Sequence, residues 1–403
     1  MKSNWKTKFY RIWIGQFFSI ITSAILQMAL IWYITFQTKS VLVLSIASIA
    51  AFLPTAILGS FVGVLVDRWN RKFVMICADL YIAGISLLIV IVGLFHTIPA
   101  WFIIIILCLR SIGTAFHTPA ISAVTPLLVP EDQLLSCSGY TQSIQTVGYI
   151  IGTALAGVLY PICSMEVMVA FDVVGALLAS GFVLFVHIPK PSLTHHENPH
   201  FINELKEGLQ IYRKQKGLYA LLWIGAAFMF FYSPINALFP LISIEHFQGT
   251  TTSASIAEIA FSVGMLLGGV ILGTCCVKFK RSSSMIFSLA LMGISILVSG
   301  ILPSTMFPCF VFLCIGMGIS VPFYTGPQTA LMQERIEPQY LGRAFGVYGS
   351  IASLAMPLGL SFSAVFGDSL GVQPWFIICG MGSIALACVS YLIPSIRNID
   401  ANH

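Results

Sequence analysis

A chain of 403 residues that is 57% hydrophobic and only 9% charged lacks the polar surface of a water-soluble protein. Its net charge of +5 reflects membrane topology and anionic lipid rather than nucleic acid. No ATP-binding loop, nucleophile constellation or metal-ligand spacing occurs, which argues against an enzyme and against any cofactor.

Apolar runs of about 20 residues, the length that crosses a bilayer, recur along the chain. In order they predict twelve spans: 9–36, 41–66, 73–94, 101–127, 139–162, 166–188, 218–244, 254–276, 285–302, 307–333, 343–366 and 375–394. The runs are continuous rather than alternating, which excludes a β-barrel. The first is too long for a cleavable signal, and no small-residue cleavage site follows it. The expected fold class is an all-α polytopic membrane protein of twelve transmembrane helices in two six-helix bundles, 1–188 and 218–403. Between them lies a polar linker, 189–217. There Phe201, Leu205, Leu209 and Tyr212 recur at helical spacing among charged residues, as in an amphipathic helix on the membrane surface.

Lys and Arg positions set the orientation. Eighteen fall on the side that carries both termini, Lys39 alone falls opposite, and Arg110 lies inside span 4. The expected location is the bacterial cytoplasmic membrane, multi-pass, with both termini in the cytoplasm. All ten Cys lie in or beside spans and read as small packing residues. The polar-linker histidines His195, His196 and His200 read as solvated, so no metal is expected.

The two halves echo each other. Pro119 and Pro327, Pro130 and Pro338, and the dipeptides Ala29-Leu30 and Ala237-Leu238 are all 208 residues apart. Internal symmetry of this kind marks transporters built from parallel six-helix repeats.

Gly63-Val-Leu-Val-Asp67-Arg68-Trp-Asn70-Arg71-Lys72, between spans 2 and 3, resembles the G-x-L-x-D-R-x-x-R-K loop of major facilitator superfamily transporters. Asn70 stands where that pattern has a second Gly, and tolerates a left-handed backbone. The resemblance implies a conformational gating loop of Gly63, Asp67, Arg68, Arg71 and Lys72, with Asp79 of span 3 pairing to Arg68 or Arg71. In that fold spans 2 and 11, and 5 and 8, form the sliding contact between halves. The Gly-x-x-x-Gly pairs fall on those spans, so Gly59, Gly148, Gly152, Gly264, Gly268, Gly342 and Gly346 are expected to be interface glycines.

Ionisable residues inside a membrane cost about 2.5–3.5 kcal/mol each on insertion scales, and are functional candidates by default. Arg110 and Asp172 enter from the same side to similar depth and are expected to face each other as the proton-coupling pair. Glu258 lies one turn from the outer surface, where water reaches it. Arg110-Ser-Ile-Gly113 resembles the span-4 Arg motif of proton-driven antiporters, with its Gly one residue early. Gly148 to Gly157 resembles the span-5 motif of drug antiporters, with Thr153 in place of Pro.

In the major facilitator fold, spans 1, 4, 7 and 10 line the cavity. Their candidate substrate contacts are Gln27, His117, Phe230, Tyr232, Asn236, Tyr324 and Gln328, with Gln16 nearby. Aromatics and amides with scarcely any charge suit a large amphipathic molecule.

Asn4 to Tyr10, Ile21 to Leu30, Arg110 to Ala120, Ala123 to Pro130, Pro234 to Ser243 and Pro338 to Arg343 resemble the Mef-type macrolide efflux proteins, along nearly the whole chain. The resemblance implies export of macrolides with 14- and 15-membered rings in exchange for protons, beside an ABC-F ribosome-protection protein; a monomer is expected. The rival expectations are an exporter of another amphipathic compound, such as a siderophore, and an uncoupled channel or membrane scaffold.

Overall fold

The computed structural model describes residues 5–130, 134–188, 209–274, 280–336 and 341–401. Among these, twelve long helices appear and no strand: α1 Trp5–Thr38, α2 Val41–Arg68, α3 Arg71–Phe95, α4 Ala100–Leu128, α5 Leu134–Leu159, α6 Met165–Leu184, α7 Lys216–Leu241, α8 Thr251–Thr274, α9 Arg281–Ile301, α10 Phe307–Arg335, α11 Leu341–Leu370 and α12 Val372–Leu392. Eleven are long and apolar enough to cross a membrane. In α5 the described stretch Val147–Leu159 is apolar.

The helices form two compact units. One holds the described residues through 188 except Ser40–Ser45; the other holds those six and the described residues from 209 onward. The segment Ser40–Ser45 departs from the expected boundary because its side chains pack in the second unit: Val41 fills the space beside Gly367, and Ser45 shares a 2.8 Å hydrogen bond with Ser363.

Helix pairing repeats between the units. In the first, α1 packs on α5 and α6, and α3 on α4 and α6. In the second, α7 packs on α11 and α12, and α9 on α10 and α12. The α2–α4 pair is joined by the Thr55 hydroxyl, 2.8 Å from both the carbonyl and the hydroxyl of Ser111. Its counterpart α8–α10 joins through glycine, Gly264 lying against Ile315 and Gly318. The residue 208 positions after Arg110 is Gly318, so a site that carries a cation in one unit is a backbone-to-backbone contact in the other.

The interface glycines are corrected by this packing. Gly148 and Gly152 let α5 approach Ile20, Ile21 and Ala24 of α1, and Gly264 and Gly268 let α8 approach Ile315 and Ile319 of α10. Both contacts lie inside a unit, and Gly346 has open space beside it. Small-residue spacing does not itself say which neighbour comes close. Gly59 and Gly342 lie outside the described residues in this respect.

The polar linker is described only from Leu209. Tyr212 does not lie on a membrane surface; it is buried in the second unit, its hydroxyl donating to the Ala344 carbonyl at 3.1 Å, and burial pushes its phenol well above the usual range. Gln215 donates to the Arg335 carbonyl at 2.7 Å, and Arg335 to that of Ile399. The carboxylate of Asp400 then caps α9, accepting from the Ser282 amide at 3.0 Å and its hydroxyl at 2.7 Å. A carboxylate there satisfies orphan amides and complements the helix dipole.

Candidate functional site

Four helices of the first unit converge on one ion pair. Arg110, ten residues into α4, donates Nη1 to Oδ2 of Asp172 on α6 at 2.5 Å and also to the Ser86 hydroxyl of α3. Ser23 of α1 donates to Asp172 Oδ1 at 2.7 Å, and Ser86 approaches Oδ2 at 2.8 Å. Arg110 is 7% exposed and Asp172 2%, so water contributes little and the two charges depend on each other and on the serines. Attraction alone seldom offsets the desolvation of such a pair; satisfied lone pairs and protons do. The expected meeting of Arg110 and Asp172 is thus observed, whereas Ser23 and Ser86 gave no signal in the sequence beyond being polar in an apolar run. Gly175 on α6 allows this convergence, since a Cβ there would collide with Thr22 of α1.

A second polar layer lies two turns away. Asp79 of α3 was expected to pair with Arg68 or Arg71, but the cation-forming side chain it faces is His117 of α4, with Nε2 3.3 Å from Oδ1. Gln16 of α1 points its amide at the same carboxylate. None of these approaches is well aligned: Gln16 Nε2, Asp79 Oδ2 and His117 Nε2 are buried without a hydrogen-bond partner. His117, expected among substrate contacts, therefore belongs to a buried acid–base cluster. Arg71 reaches the Ala123 carbonyl at 2.9 Å, and the alternative partner, Arg68, has its side chain outside the described residues.

The turn between α2 and α3 is tighter than a gating loop suggests. Asn70 is not left-handed; at φ −69° and ψ 102° it is the N-cap of α3, accepting from the Lys72 amide. Lys72 sends Nζ to the carbonyls of Leu184 and Val186 at 2.5 and 3.1 Å, closing the C-terminal end of α6, where a cation complements the dipole. The side chains of Gly63, Asp67 and Arg68 lie outside the described residues.

The substrate candidates of the second unit do not share one pocket within it. Tyr232 accepts from Asn236 Nδ2 at 3.3 Å, and both line a cavity of about 10 Å³ with Phe239, Glu258 and Met317, space for about one water. Phe230 packs on Phe362 of α11. Tyr324 is buried near Gly225, with its hydroxyl unpartnered, and stacks at a tilt on Phe228. Gln328 lies beside Tyr348. Glu258 lies deeper than expected: α8 begins at Thr251, so this residue is two turns in, where it lines the cavity. In the first unit, Gln27 is part-buried on α1. A groove of about 340 Å³ bounded by Trp69, Phe73, Tyr81 and Phe116 lacks polar groups to orient a ligand. No group of three metal-ligating side chains occurs among the described residues.

Comparison with known proteins places these features in a family. A family described as transmembrane secretion effector matches residues 4–403. Macrolide efflux protein A of Streptococcus pyogenes is 52% identical over 399 residues, covering 99% of this chain and 98% of that protein. Macrolide efflux protein A of Enterococcus faecalis is 51% identical over 322 residues, 80% of this chain and 99% of that one. A crystal structure of a D-xylose–proton symporter aligns with a TM-score of 0.76 at 15% identity, over 98% of this chain and 99% of that one; this shows the fold alone.

Proposed function

Because the chain belongs to the transmembrane secretion effector family of the major facilitator superfamily, alongside the macrolide efflux proteins A, we propose that it exports macrolide antibiotics with 14- and 15-membered rings in exchange for protons. It is a multi-pass membrane transporter with the major facilitator fold. The observation that carries the substrate reading is the 52% identity to a macrolide efflux protein over 99% of this chain.

Coupling is assigned to Arg110 and Asp172. A paired charge in the membrane interior is stable only while the pair is intact, so protonation of Asp172 frees Arg110 and favours a different packing of α1, α3, α4 and α6. The chain works by alternating access in the bacterial cytoplasmic membrane, both termini in the cytoplasm, as a monomer beside an ABC-F ribosome-protection protein. Large amphipathic drugs are held by aromatic faces and amides rather than by charge.

Expression in a macrolide-sensitive bacterium is expected to raise the erythromycin concentration that stops growth and to leave the response to an unrelated ribosome inhibitor unchanged. Unchanged erythromycin sensitivity, with the protein present in the membrane, contradicts the reading and favours another amphipathic cargo or an uncoupled scaffold.

A further inference from the structure

The two polar layers of the first unit share one spacing. Gln16 and Ser23 on α1, Asp79 and Ser86 on α3, and His117 and Arg110 on α4 are each seven residues apart, two helical turns or about 10 Å. The layer of Ser23, Ser86, Arg110 and Asp172 is bonded throughout. The other holds three buried polar atoms without partners. On its far side, towards the α2–α3 turn, it is closed by apolar packing of Phe9, Trp13, Val74, Met75, Ile121 and Val124.

Charge balance says what the second layer lacks. Among the described residues, the two layers hold two carboxylates, Asp172 and Asp79, one guanidinium, Arg110, and the imidazole of His117, while Arg71 lies nearer the α2–α3 turn on the Ala123 carbonyl. With Asp79 ionised and His117 neutral, these four groups carry one net negative charge, and unpaired charge at such depth is strongly unfavourable. One added proton balances it.

We propose that Gln16, Asp79 and His117 form a proton-binding site separate from the Arg110–Asp172 pair. Uptake forms one N–H bond at His117 Nε2; the imidazolium then donates to Asp79 Oδ1, converting a 3.3 Å approach without hydrogen-bond alignment into a charge-assisted bond. Release reverses this step, and no other bond changes. The groups that face the site are the Gln16 amide from α1, Asp172 of α6, whose charge reaches Asp79, and Arg110 one layer along α4. From α2 come Val62 and Val66, and from α5 Cys137 in the apolar layer.

The proposal rests on the reading of this chain as a proton-coupled exporter, and its test separates the two. Purified wild type, Asp79→Asn and His117→Gln are reconstituted in liposomes, and radiolabelled erythromycin is followed under a pH gradient and as downhill exchange at equal pH. Both variants are expected to lose gradient-driven accumulation by about tenfold or more while keeping downhill exchange, the size of one typical coupling energy. Downhill exchange by His117→Gln should also lose the pH dependence of wild type. Should His117→Gln fail to fold because Asp79 is left unpaired, the neutral double variant carries the same expectation. Gradient-driven accumulation at the wild-type rate in the variants overturns the site, as does equal loss of both kinds of transport, which marks the cluster as structural. Absence of gradient-driven accumulation in wild type overturns the parent reading itself.

Discussion

Arg110→Leu is expected to remove most folded protein from the membrane, and the further change Asp172→Asn to bring it back. The single variant leaves the Asp172 carboxylate 2% exposed, with Ser23 and Ser86 as donors and no counter-charge. Breaking a buried pair by removing one partner costs about 3–5 kcal/mol, a large share of the 5–15 kcal/mol typical of a folded domain. Removing both charges leaves neutral groups of similar shape, for which the penalty largely disappears. Membrane level and thermal unfolding in detergent measure this cycle. Export by the double variant is expected to stay abolished although the level recovers, because folding needs only the absence of an unpaired charge and coupling needs the charge itself. Export at the wild-type rate by a well-expressed Asp172→Asn protein removes Asp172 from the coupling role.

Gly318→Val is expected to be nearly as damaging by a different route. A Cβ at Gly318 would meet the Phe261 carbonyl and come within 2.8 Å of the Met265 amide, and one at Gly264 would lie 3.0 Å from the Gly318 Cα. These are backbone atoms of α8 and α10, so no rotamer change relieves the clash and the helices must separate. Overpacking costs about 1–3 kcal/mol where side chains can shift; against backbone on both sides the upper figure or more is expected. Gly269→Ala, one position past the contact and facing open space, should leave the unfolding temperature unchanged or slightly raise it. Equal effects of the two changes would show that α8 and α10 do not cross at Gly264 and Gly318.

The twelve helices were legible because a bilayer demands long apolar runs. Arg110 and Asp172 were legible because depth and direction of entry bring them level. Their serines were not, since a hydroxyl in an apolar helix equally often bonds its own backbone, as Ser299 and Ser390 do. Asp79 was misplaced because sequence distance from Arg71 says nothing about which face of α3 it occupies, and the heptad match of Gln16, Asp79 and His117 with the ion-pair layer appears only once α1, α3 and α4 are seen side by side. Asn suits both a left-handed turn and an N-cap, and at position 70 it is the N-cap. Glycine pairs announce a close helix contact without naming the partner helix, and so α5 and α8 were assigned outward when they pack on α1 and α10.

Retention of radiolabelled erythromycin by cells expressing the chain, with and without a protonophore, tests proton-coupled macrolide export most directly. Low retention that rises to the level of non-expressing cells on adding the protonophore is the predicted result. Retention equal to that of non-expressing cells before the protonophore would contradict macrolide export, and low retention that the protonophore does not change would contradict the coupling.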